Sequence, residues 1–591
     1  MGRRQRPISR ATPRGRSRAV RRSGARRRPA RCRGGRSFPG PRARPPSYGG
    51  QRRIARYREP LDARLTRASA ATARHTPAAH ALGNGLAARI LAAVLREPLA
   101  IPLREARAPL VLALDIGTSG LRAFLFDSRG RPIARCIAHA DRPVRTSVDG
   151  EVTVDADERV RAALGTIDTV LASAGRRAGE IAAVATSTFW HSLVGVDARG
   201  RATTRVLTWA DTRARGAAAD LRRELDPVAT HVRTGCVLHA SYLPAKLRWL
   251  REHEADAYAR TAWWMSLGEY LYLRILGARR AGHGMASATG LYDQRLRRYD
   301  RPLLMHLLVG EETFSPIDDA PLAGMLRAFA RRWPALANAK WIPAIGDGAC
   351  SNVGAGAIGR DTASLFLGTS GAMRVVYATD DPPIVPGGWT YRLDASRVVA
   401  GGALSNGGNV LSWLARTFPG VDVAAALRRG SVDGTLVALP LLAGDRSPTW
   451  NDAARAAVAG VGLGTTADDV ARAMVEGVAH RVARLWEVTS RAMPGIDRVI
   501  ATGGTLLALP WLIQLFADAI DRPILTSGAG EGSARGAAIV ALERIGALAD
   551  IAAVRSPFGR TFRPRPAATA RLRAGMERQR HLEEALAPLM S

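Results

Sequence analysis

Residues 112–127 read LALDIGTSGLRAFLFD, and this segment sets the architecture of the whole chain. Its two apolar runs predict the strands Leu110–Ile116 and Leu121–Phe126, and the small residues Gly117–Gly120 predict the turn between them. A turn of small residues lets backbone N–H groups approach a polyphosphate closely. The segment therefore predicts a phosphate-binding β-hairpin.

Four side chains of this hairpin are candidates for nucleotide chemistry. The hydroxyls of Thr118 and Ser119 can donate to phosphate oxygens, and Arg122 adds positive charge. Asp115, near the end of the first strand, is placed to hold Mg²⁺ directly or through water. An isolated GTSG turn is more often an ordinary hairpin, so these roles depend on a second observation.

That second observation is a repeat of the same four residues. GTSG recurs 251 positions later as Gly368–Gly371, between predicted strands Ser364–Leu367 and Met373–Tyr377. The matching contexts suggest a duplicated lobe. We therefore predict an α/β fold of two lobes with a nucleotide cleft between the hairpins. The remaining patterns predict strands over Pro132–His139, Ile181–Ser187, Leu193–Asp197 and Arg498–Thr502, and helices over Asp157–Ala174, Ala467–Met493, Pro510–Asp521, Gly532–Leu548 and 570–591.

The charge of the chain is concentrated at its N-terminus. Residues 1–108 hold 28 Arg, no Lys and four acids, so they carry +24 of the formal +35. We expect residues 1–60, rich in Arg, Pro, Gly and Ser, to be disordered. Three interpretations stay open: upstream sequence read in frame with the start near Val111, a targeting segment, and a basic arm for nucleic acid or anionic lipid. We expect that deleting residues 1–105 leaves the activity intact.

The rest of the composition excludes several classes of protein. No uninterrupted apolar run of about 18 residues occurs, which argues against a membrane span. Cys32, Cys136, Cys236 and Cys350 have no spacing typical of zinc, so a reducing cytoplasm is expected. Nucleic acid is an unlikely partner outside the N-terminal arm, and a homodimer stays open.

Seven motifs in order give the chain a resemblance to the FGGY carbohydrate kinase family, over about residues 110–565. They are DIGTSGLRA from Asp115, TWADTR from Thr208, ASATGLYD from Ala286, GDGACSNVGAGA from Gly346, LGTSGAMR from Leu367, GDRSPTWN from Gly444 and ATGG from Ala501. The resemblance implies two actin-like (ribonuclease-H-like) lobes, with ATP and Mg²⁺ as cofactors. It places an extension at 1–109, lobes at 110–357 and 358–565, and a terminal helix at 566–591.

The same resemblance implies roles for residues of the first lobe. Asp347 is implied as the catalytic base, which fits the need to take a proton from a weakly nucleophilic hydroxyl. Read alone, Gly346–Gly348 is an ordinary turn. His191 is implied as a donor to substrate hydroxyls and Trp190 as a wall against the carbon chain. Trp209 and Asp211 are implied to line the substrate, although Asp211 also suits a helix cap.

In the second lobe the resemblance implies that Gly368, Thr369 and Ser370 meet the phosphates from the opposite side. Gly117 has the corresponding place in the first lobe. Gly503 and Gly504 leave room for adenine and ribose. The chain departs from the family pattern at Asp445 and Ala508, to which no role is assigned.

The substrate is the least determined part of the prediction. The motifs resemble gluconokinase-type members most, and gluconate needs a cationic or amide-rich pocket for its carboxylate. His191, Arg213 and Lys246 are the predicted candidates for that pocket. Xylulose, ribulose and other ketoses or polyols stay open. An actin-like nucleotide-binding protein without small-molecule kinase activity is the alternative of a different class.

Overall fold

The computed structural model describes residues 99–429 and 435–590. The strands are β1 Leu110–Ile116, β2 Gly120–Phe126, β3 Pro132–Asp141, β4 Arg145–Thr146, β5 Val152–Val154, β6 Ile181–Thr188, β7 Val194–Val196, β8 Val206–Leu207, β9 Trp263–Met265, β10 Tyr292–Asp293, β11 Arg298–Tyr299, β12 Lys340–Trp341, β13 Ile345–Gly346, β14 Thr362–Leu367, β15 Gly371–Ala378, β16 Trp389–Arg392, β17 Arg397–Leu404, β18 Val437–Leu439, β19 Ala457–Ala459, β20 Arg498–Thr502, β21 Ile524–Ser527 and β22 Phe558–Phe562.

Helices alternate with these strands. They are α1 Ala156–Ala174, α2 Arg215–Glu224, α3 Pro227–Thr234, α4 Leu243–His253, α5 Ala255–Ala259, α6 Leu267–Leu276, α7 His283–Ala286, α8 Arg301–Leu307, α9 Arg327–Arg332, α10 Asp347–Gly354, α11 Gly408–Thr417, α12 Val423–Arg429, α13 Ala467–Ala492, α14 Gly504–Leu507, α15 Pro510–Ile520, α16 Gly532–Arg544 and α17 Pro566–Leu586. The predicted α/β class is confirmed.

The N-terminal lobe is built on a sheet of order β12–β6–β1–β2–β3, with β13 also paired to β6. Every residue of β1 is buried, which fits its continuous apolar sequence. β1 runs parallel to β6 and antiparallel to β2. Helix α1 covers the β2 and β3 side and begins where the Asp155 carboxylate accepts from the Glu158 N–H at 2.8 Å.

The C-terminal lobe has a sheet of order β16–β17–β15–β14–β20–β21–β22. β14 runs antiparallel to β15 and parallel to β20. The relation of β1 to β2 and β6 is therefore repeated, as the GTSG repeat predicted. The long helix α13 packs on this lobe's core and begins with a capping box between Thr466 and Asp469.

The lobes meet along α10 and α16, whose backbones are in contact. A Cβ added to Gly354 would lie 1.9 Å from the Gly532 carbonyl oxygen, and one added to Gly536 would lie 1.8 Å from that of Cys350. Only glycine permits such an approach. Because Asp347 is the first residue of α10, this crossing fixes its position where the two lobes join.

The predicted extension 1–109 needs a correction at its end. Residues 1–98 lie outside the described residues, but Ile101 forms a β-bridge with Ile133 and Ala106 is buried. Arg177 also donates to the Ala106 carbonyl at 3.0 Å. A deletion of residues 1–105 would remove this packed segment, so a neutral truncation has to end before residue 99.

Two predicted helix bounds also differ from the structure. The helix predicted over 532–548 ends at Arg544, because Gly546 has a φ of 75°, a conformation that L side chains rarely adopt. The terminal helix begins at Pro566, where the family resemblance placed it and four residues before the start indicated by the pattern, and it ends at Leu586. Among the described residues, no helix is both long and apolar enough to cross a lipid bilayer.

Candidate active site

A cavity of about 300 Å³ lies between the two GTSG hairpins. Residues from both lobes line it, including eight of the residues predicted for the site. The lining consists of Thr118, Ser119, Phe189, Trp190, His191, Trp209, Ser241, Tyr242, Asp347, Phe366, Thr369, Ser370, Gly371, Ala372, Arg374, Trp389, Tyr391, Ala403, Arg446 and Trp450.

The first hairpin is held by a buried arginine. The turn is closed by the Gly117 N–H, which donates to the Gly120 carbonyl at 2.9 Å. Arg159, which is 2% exposed, donates from α1 to the Thr118 carbonyl at 2.8 Å. The Trp209 indole N–H lies 3.3 Å from the Thr118 hydroxyl oxygen. These contacts hold the turn in place, and Thr118 and Ser119 line the cavity.

Asp115 and Arg122 lie beside this cavity without lining it. They are direct cross-strand partners, and the Arg122 guanidinium donates to the Asp115 carboxylate at 2.7 Å. The other side of the guanidinium reaches Glu531 of the C-terminal lobe at 2.8 Å. Arg122 is therefore an ion-pair bridge between the lobes in this structure, and its positive charge is already balanced by two carboxylates.

The second hairpin is held by backbone contacts. The N–H groups of Gly408 and Asn409, at the start of α11, donate to the carbonyls of Gly368 and Thr369 at 2.9 and 3.0 Å. Thr369 and Ser370 line the cavity opposite Thr118 and Ser119. The turns of the two hairpins thus line one shared space.

Gly503 and Gly504 lie behind the second hairpin and do not line the described cavity. Gly503 has a φ of 89°, and a Cβ added there would lie 2.6 Å from the Leu367 carbonyl oxygen. Glycine is required at 503 by this close approach. The space that the sequence assigned to adenine and ribose is not part of this cavity.

Asp347 lines the cavity at the first turn of α10. Its carboxylate accepts from the Gly348 N–H at 2.7 Å. Burial raises the pKa of Asp347 to about 6, an effect that the charge of Asp115 reinforces and that Arg374 opposes. Above this pH the carboxylate is ionised and can accept a proton.

Trp190 explains why glycines flank Asp347. A Cβ added to Gly346 would lie 1.8 Å from the Trp190 indole nitrogen, and one added to Gly348 would lie 2.4 Å from the same ring. The indole N–H donates to the Gly284 carbonyl at 3.0 Å. The ring is therefore packed against the backbone on both sides of Asp347 and positions that turn.

His191 lines the cavity in a strained conformation, with a φ of 61°. Its Nδ1 lies 2.6 Å from the Ala288 carbonyl oxygen, which can only accept, so Nδ1 carries the proton. Burial lowers the pKa of His191 to about 3, so the ring is neutral. The free Nε2 is then an acceptor, and the predicted donor role is wrong for this arrangement.

Asp211, Arg213 and Lys246 do not line the cavity. Asp211 and Arg213 form a close ion pair at 2.7 Å. Lys246 is fully buried and donates to the backbone carbonyls of His191 and Thr208 at 2.6 and 2.8 Å. Its ammonium group joins the two predicted substrate loops, while Arg213 is neutralised, so neither cation is placed to bind a substrate carboxylate.

The cations that line the cavity are Arg374 and Arg446, which the sequence analysis did not assign to the site. Both stand inside motifs quoted for other reasons, LGTSGAMR and GDRSPTWN. Their place in these motifs was the available signal, but Arg122 and Arg213 stand in motifs in the same way and do not line the cavity. The Arg446 guanidinium lies 5.0 Å from the centre of the Trp209 ring and donates to the Leu404 carbonyl at 2.7 Å.

Aromatic side chains form the wall opposite the hairpins. Trp389 and Tyr391 stack at 4.2 Å, and Trp190 meets the Tyr391 ring edge-on at 5.1 Å. The hydroxyls of Tyr242 and Tyr391 are 2.6 Å apart, which joins the two lobes. Apart from Trp190 these residues had no sequence signal, because the fold brings them together from distant strands and loops.

The residues around Asp115 fit a magnesium ion. Mg²⁺ is usually bound through one or two carboxylates together with substrate phosphates and water. Asp115 is 5% exposed, lies beside the Gly117–Gly120 turn and is close enough to Asp347 to raise its pKa. Within the described residues no three His, Cys, Asp or Glu side chains cluster as metal ligands. The nucleotide would therefore supply most of the remaining ligands.

The sequence and the fold were compared with known proteins. The family described as "FGGY family of carbohydrate kinases" matches with its N-terminal domain at residues 110–354 and its C-terminal domain at residues 363–543. The chain is 25% identical to the gluconokinase of Bacillus subtilis (strain 168), over 77% of this chain and 91% of that protein. It is 26% identical to a glycerol kinase of Acidovorax sp. (strain JS42), over 73% and 89%.

Solved structures agree in fold. A gluconate kinase from Lactobacillus acidophilus superposes with a TM-score of 0.75 at 24% identity, covering 81% of this chain and 98% of that one. A glycerol kinase from Plasmodium falciparum, solved with ADP, gives 0.70 at 16% identity and covers 80% and 99%. With both domain profiles matched in order across the lobes that enclose the cavity, the chain belongs to the FGGY family of carbohydrate kinases.

Proposed function

We propose that this protein is an ATP-dependent kinase that transfers the γ-phosphoryl group to a hydroxyl of a small sugar acid, D-gluconate. The observation that carries the proposal is the position of Asp347, in a cavity bounded on two sides by the hydroxyl-bearing turns of the hairpins. A hydroxyl is a poor nucleophile until a base within hydrogen-bonding reach takes its proton. Asp347 is the ionisable carboxylate that lines this cavity.

The transfer step follows from this arrangement. The acceptor hydroxyl gives its proton to the Asp347 carboxylate while its oxygen bonds to the γ-phosphorus, and the bond from that phosphorus to the ADP oxygen breaks. Thr118, Ser119, Thr369 and Ser370 donate to phosphate oxygens from the two hairpins. Mg²⁺, held through Asp115, would neutralise charge on the phosphates when bound.

D-Gluconate is supported by two observations. The relatives named gluconokinase are 25% identical over 91% of their length, although glycerol kinases match at similar identity. The cavity also holds two arginines and one aspartate, so its charge favours an anionic substrate. Neutral ketoses such as xylulose are the alternative acceptors.

The proposal is tested by ADP release with Mg-ATP and a set of acceptors: D-gluconate, D-xylulose, D-ribulose and glycerol. We expect the highest kcat/KM with D-gluconate. Because the pKa of Asp347 is raised to about 6, kcat/KM should fall about tenfold for each pH unit below 6, as the base becomes protonated. Absence of acceptor-dependent ADP release with every compound would refute the proposed activity.

A further inference from the structure

Two guanidinium groups line the same cavity, in which Asp347 is the one acidic side chain that the structure describes. Arg374 comes from β15, three residues after the second GTSG turn, and Arg446 comes from the loop that follows β18. Neither forms an ion pair with a carboxylate in the described residues. This distinguishes them from Arg122 and Arg213, whose charges are balanced within 2.7 Å.

Arg374 lies over the Phe366 ring at 5.5 Å, but two of its donor nitrogens have no acceptor. Its Nε and Nη1 atoms are buried with no hydrogen-bond acceptor among the described residues. Leaving the donors of a charged group unsatisfied costs free energy, and in a cavity of this size a water, an ion or a ligand can supply the missing acceptor. The guanidinium packs closely against the first turn of α10, because a Cβ added to Gly348 would lie 2.8 Å from its Nε. Its place is thus fixed by packing before any ligand arrives.

Arg446 is held in place by a hydrogen bond to the backbone and by its contact with an aromatic ring. One Nη donates to the Leu404 carbonyl at 2.7 Å and the guanidinium lies over Trp209, while its Nε is buried without an acceptor. Tyr242 and Tyr391 are close to it, and both also line the cavity. Arg446 therefore lies at the part of the cavity that is walled by the rings of Trp209, Tyr242 and Tyr391.

Resting on the proposed function, we infer that Arg374 and Arg446 together bind the carboxylate group of the sugar-acid substrate and determine its selection over neutral sugars. A planar carboxylate accepts from the forked donors of guanidinium groups, and both groups here are held with donors still unsatisfied. Phosphate oxygens have other donors available, because four hydroxyls of the hairpin turns line the cavity. The two arginines would also repel each other unless an anion lay between them.

The inference is tested with D-gluconate and D-glucitol, which has the same carbon chain and hydroxyls but a CH₂OH group in place of the carboxylate. Arg374→Met and Arg446→Met should each lower kcat/KM for D-gluconate by about 10- to 100-fold, the effect of losing a charge-assisted hydrogen bond. Because Arg374 also keeps the pKa of Asp347 from rising further, rates are compared well above that pKa, where the base is ionised in every variant, and kcat/KM for D-glucitol should there stay within about threefold of the wild-type value. Arg360→Met is the matched control, because Arg360 is exposed and stacks on Tyr377 at 5.6 Å, outside the cavity.

Binding of D-gluconate and D-glucitol is measured by calorimetry on the same proteins, so that the carboxylate site is tested even without turnover. If each variant lost the same amount of affinity for both compounds while kinase activity remained, the inference would be overturned. The arginines would then bind phosphate or contribute to packing. A loss confined to D-gluconate that appears in only one of the two variants would overturn the claim that both arginines bind the carboxylate. A wild-type enzyme that phosphorylates other acceptors and binds no gluconate would refute the sugar-acid proposal itself. Arg374→Lys, which keeps the charge without the fork, should recover part of the gluconate activity if Arg374→Met folds poorly.

Discussion

The two hairpins carry the same four residues but use them in different surroundings. In the first, Asp115 precedes the turn and Arg122 follows Gly120 by two residues, so the two side chains lie directly opposite each other across the strands. In the second, the position of Asp115 is taken by Phe366, whose cross-strand partner is Ala372. Repetition of the turn has therefore preserved the phosphate-facing hydroxyls without preserving the charges beside them.

The arginines of the two hairpins differ in their partners and not in the face of the sheet. Arg374 follows Gly371 by three residues and Arg122 follows Gly120 by two, but the strand pairing after the turn also differs by one residue, since Phe366 is opposite Ala372 while Asp115 is opposite Arg122. Both guanidiniums therefore lie on the face of their sheet that does not pack on α1 or α13. Arg122 meets Asp115 and Glu531, while Arg374 enters the cavity near Asp347. The motif alone does not give the role of its arginine.

The largest difference between the hairpins should come from Asp115. Asp115→Asn removes the carboxylate that we assign to Mg²⁺ and should lower kcat about 100-fold or more, with a higher Mg²⁺ concentration needed for half-maximal rate. The equivalent change in the second hairpin, Phe366→Leu, should lower kcat less than about tenfold, because an apolar contact is replaced by another. Initial rates over a magnesium titration check both. An unchanged magnesium dependence in Asp115→Asn would contradict the assignment.

A smaller effect is expected at Arg122. Arg122→Met breaks the bridge between Asp115 and Glu531, and we expect a loss of about 10-fold in kcat/KM that is equal for D-gluconate and D-glucitol, since Arg122 does not line the cavity. This is the opposite of the acid-selective loss expected for Arg374→Met. If Arg122→Met lost activity toward D-gluconate but not toward D-glucitol, the distinction between Arg122 and Arg374 would be wrong.

The smallest effects concern the anchoring of each turn. Arg159 donates to three carbonyls, those of Thr118, Arg142 and Pro143, so Arg159→Met should lower the free energy of unfolding by about 1–3 kcal/mol. Asn409→Ala removes the acceptor of the Gly407 N–H at 2.7 Å and the donor to the Ser405 carbonyl at 3.2 Å, and should cost about 1 kcal/mol. Denaturant unfolding measures both. A larger loss in Asn409→Ala would show that the second hairpin is held chiefly by side chains.

Much of the fold was predictable because its strands are continuous and apolar and its turns are repeated. The bounds of β1 and β20 agree with the prediction residue for residue, and those of α13 differ by one. The α10–α16 crossing was not predictable, because it depends on contacts between helices that are distant in sequence. Residues 99–109 were misjudged for a similar reason: their order comes from Ile133 and Arg177, which the local composition does not reveal.

The site was predictable where a motif and a chemical need coincide. Asp347 and the hairpin hydroxyls line one cavity, as expected, and their roles there remain predictions. The direction of a side chain was not predictable. Lys246 and Arg213 are cations in motifs predicted to line the substrate. Lys246 is buried and donates to a backbone carbonyl, and Arg213 pairs with Asp211, so neither faces the cavity. The tautomer of His191 depends on the Ala288 carbonyl, 97 residues away.

The central claim is that Asp347 is the base of a phosphoryl transfer in the cavity between the two hairpins, and Asp347→Asn tests it most directly. Asparagine keeps the size and the contact to the Gly348 N–H but cannot take the proton. Turnover of D-gluconate should fall about 10²- to 10⁴-fold, while calorimetry finds ATP and D-gluconate bound with near wild-type affinity. Turnover close to that of the wild-type enzyme would contradict the claim and leave Asp347 as a turn residue between two glycines.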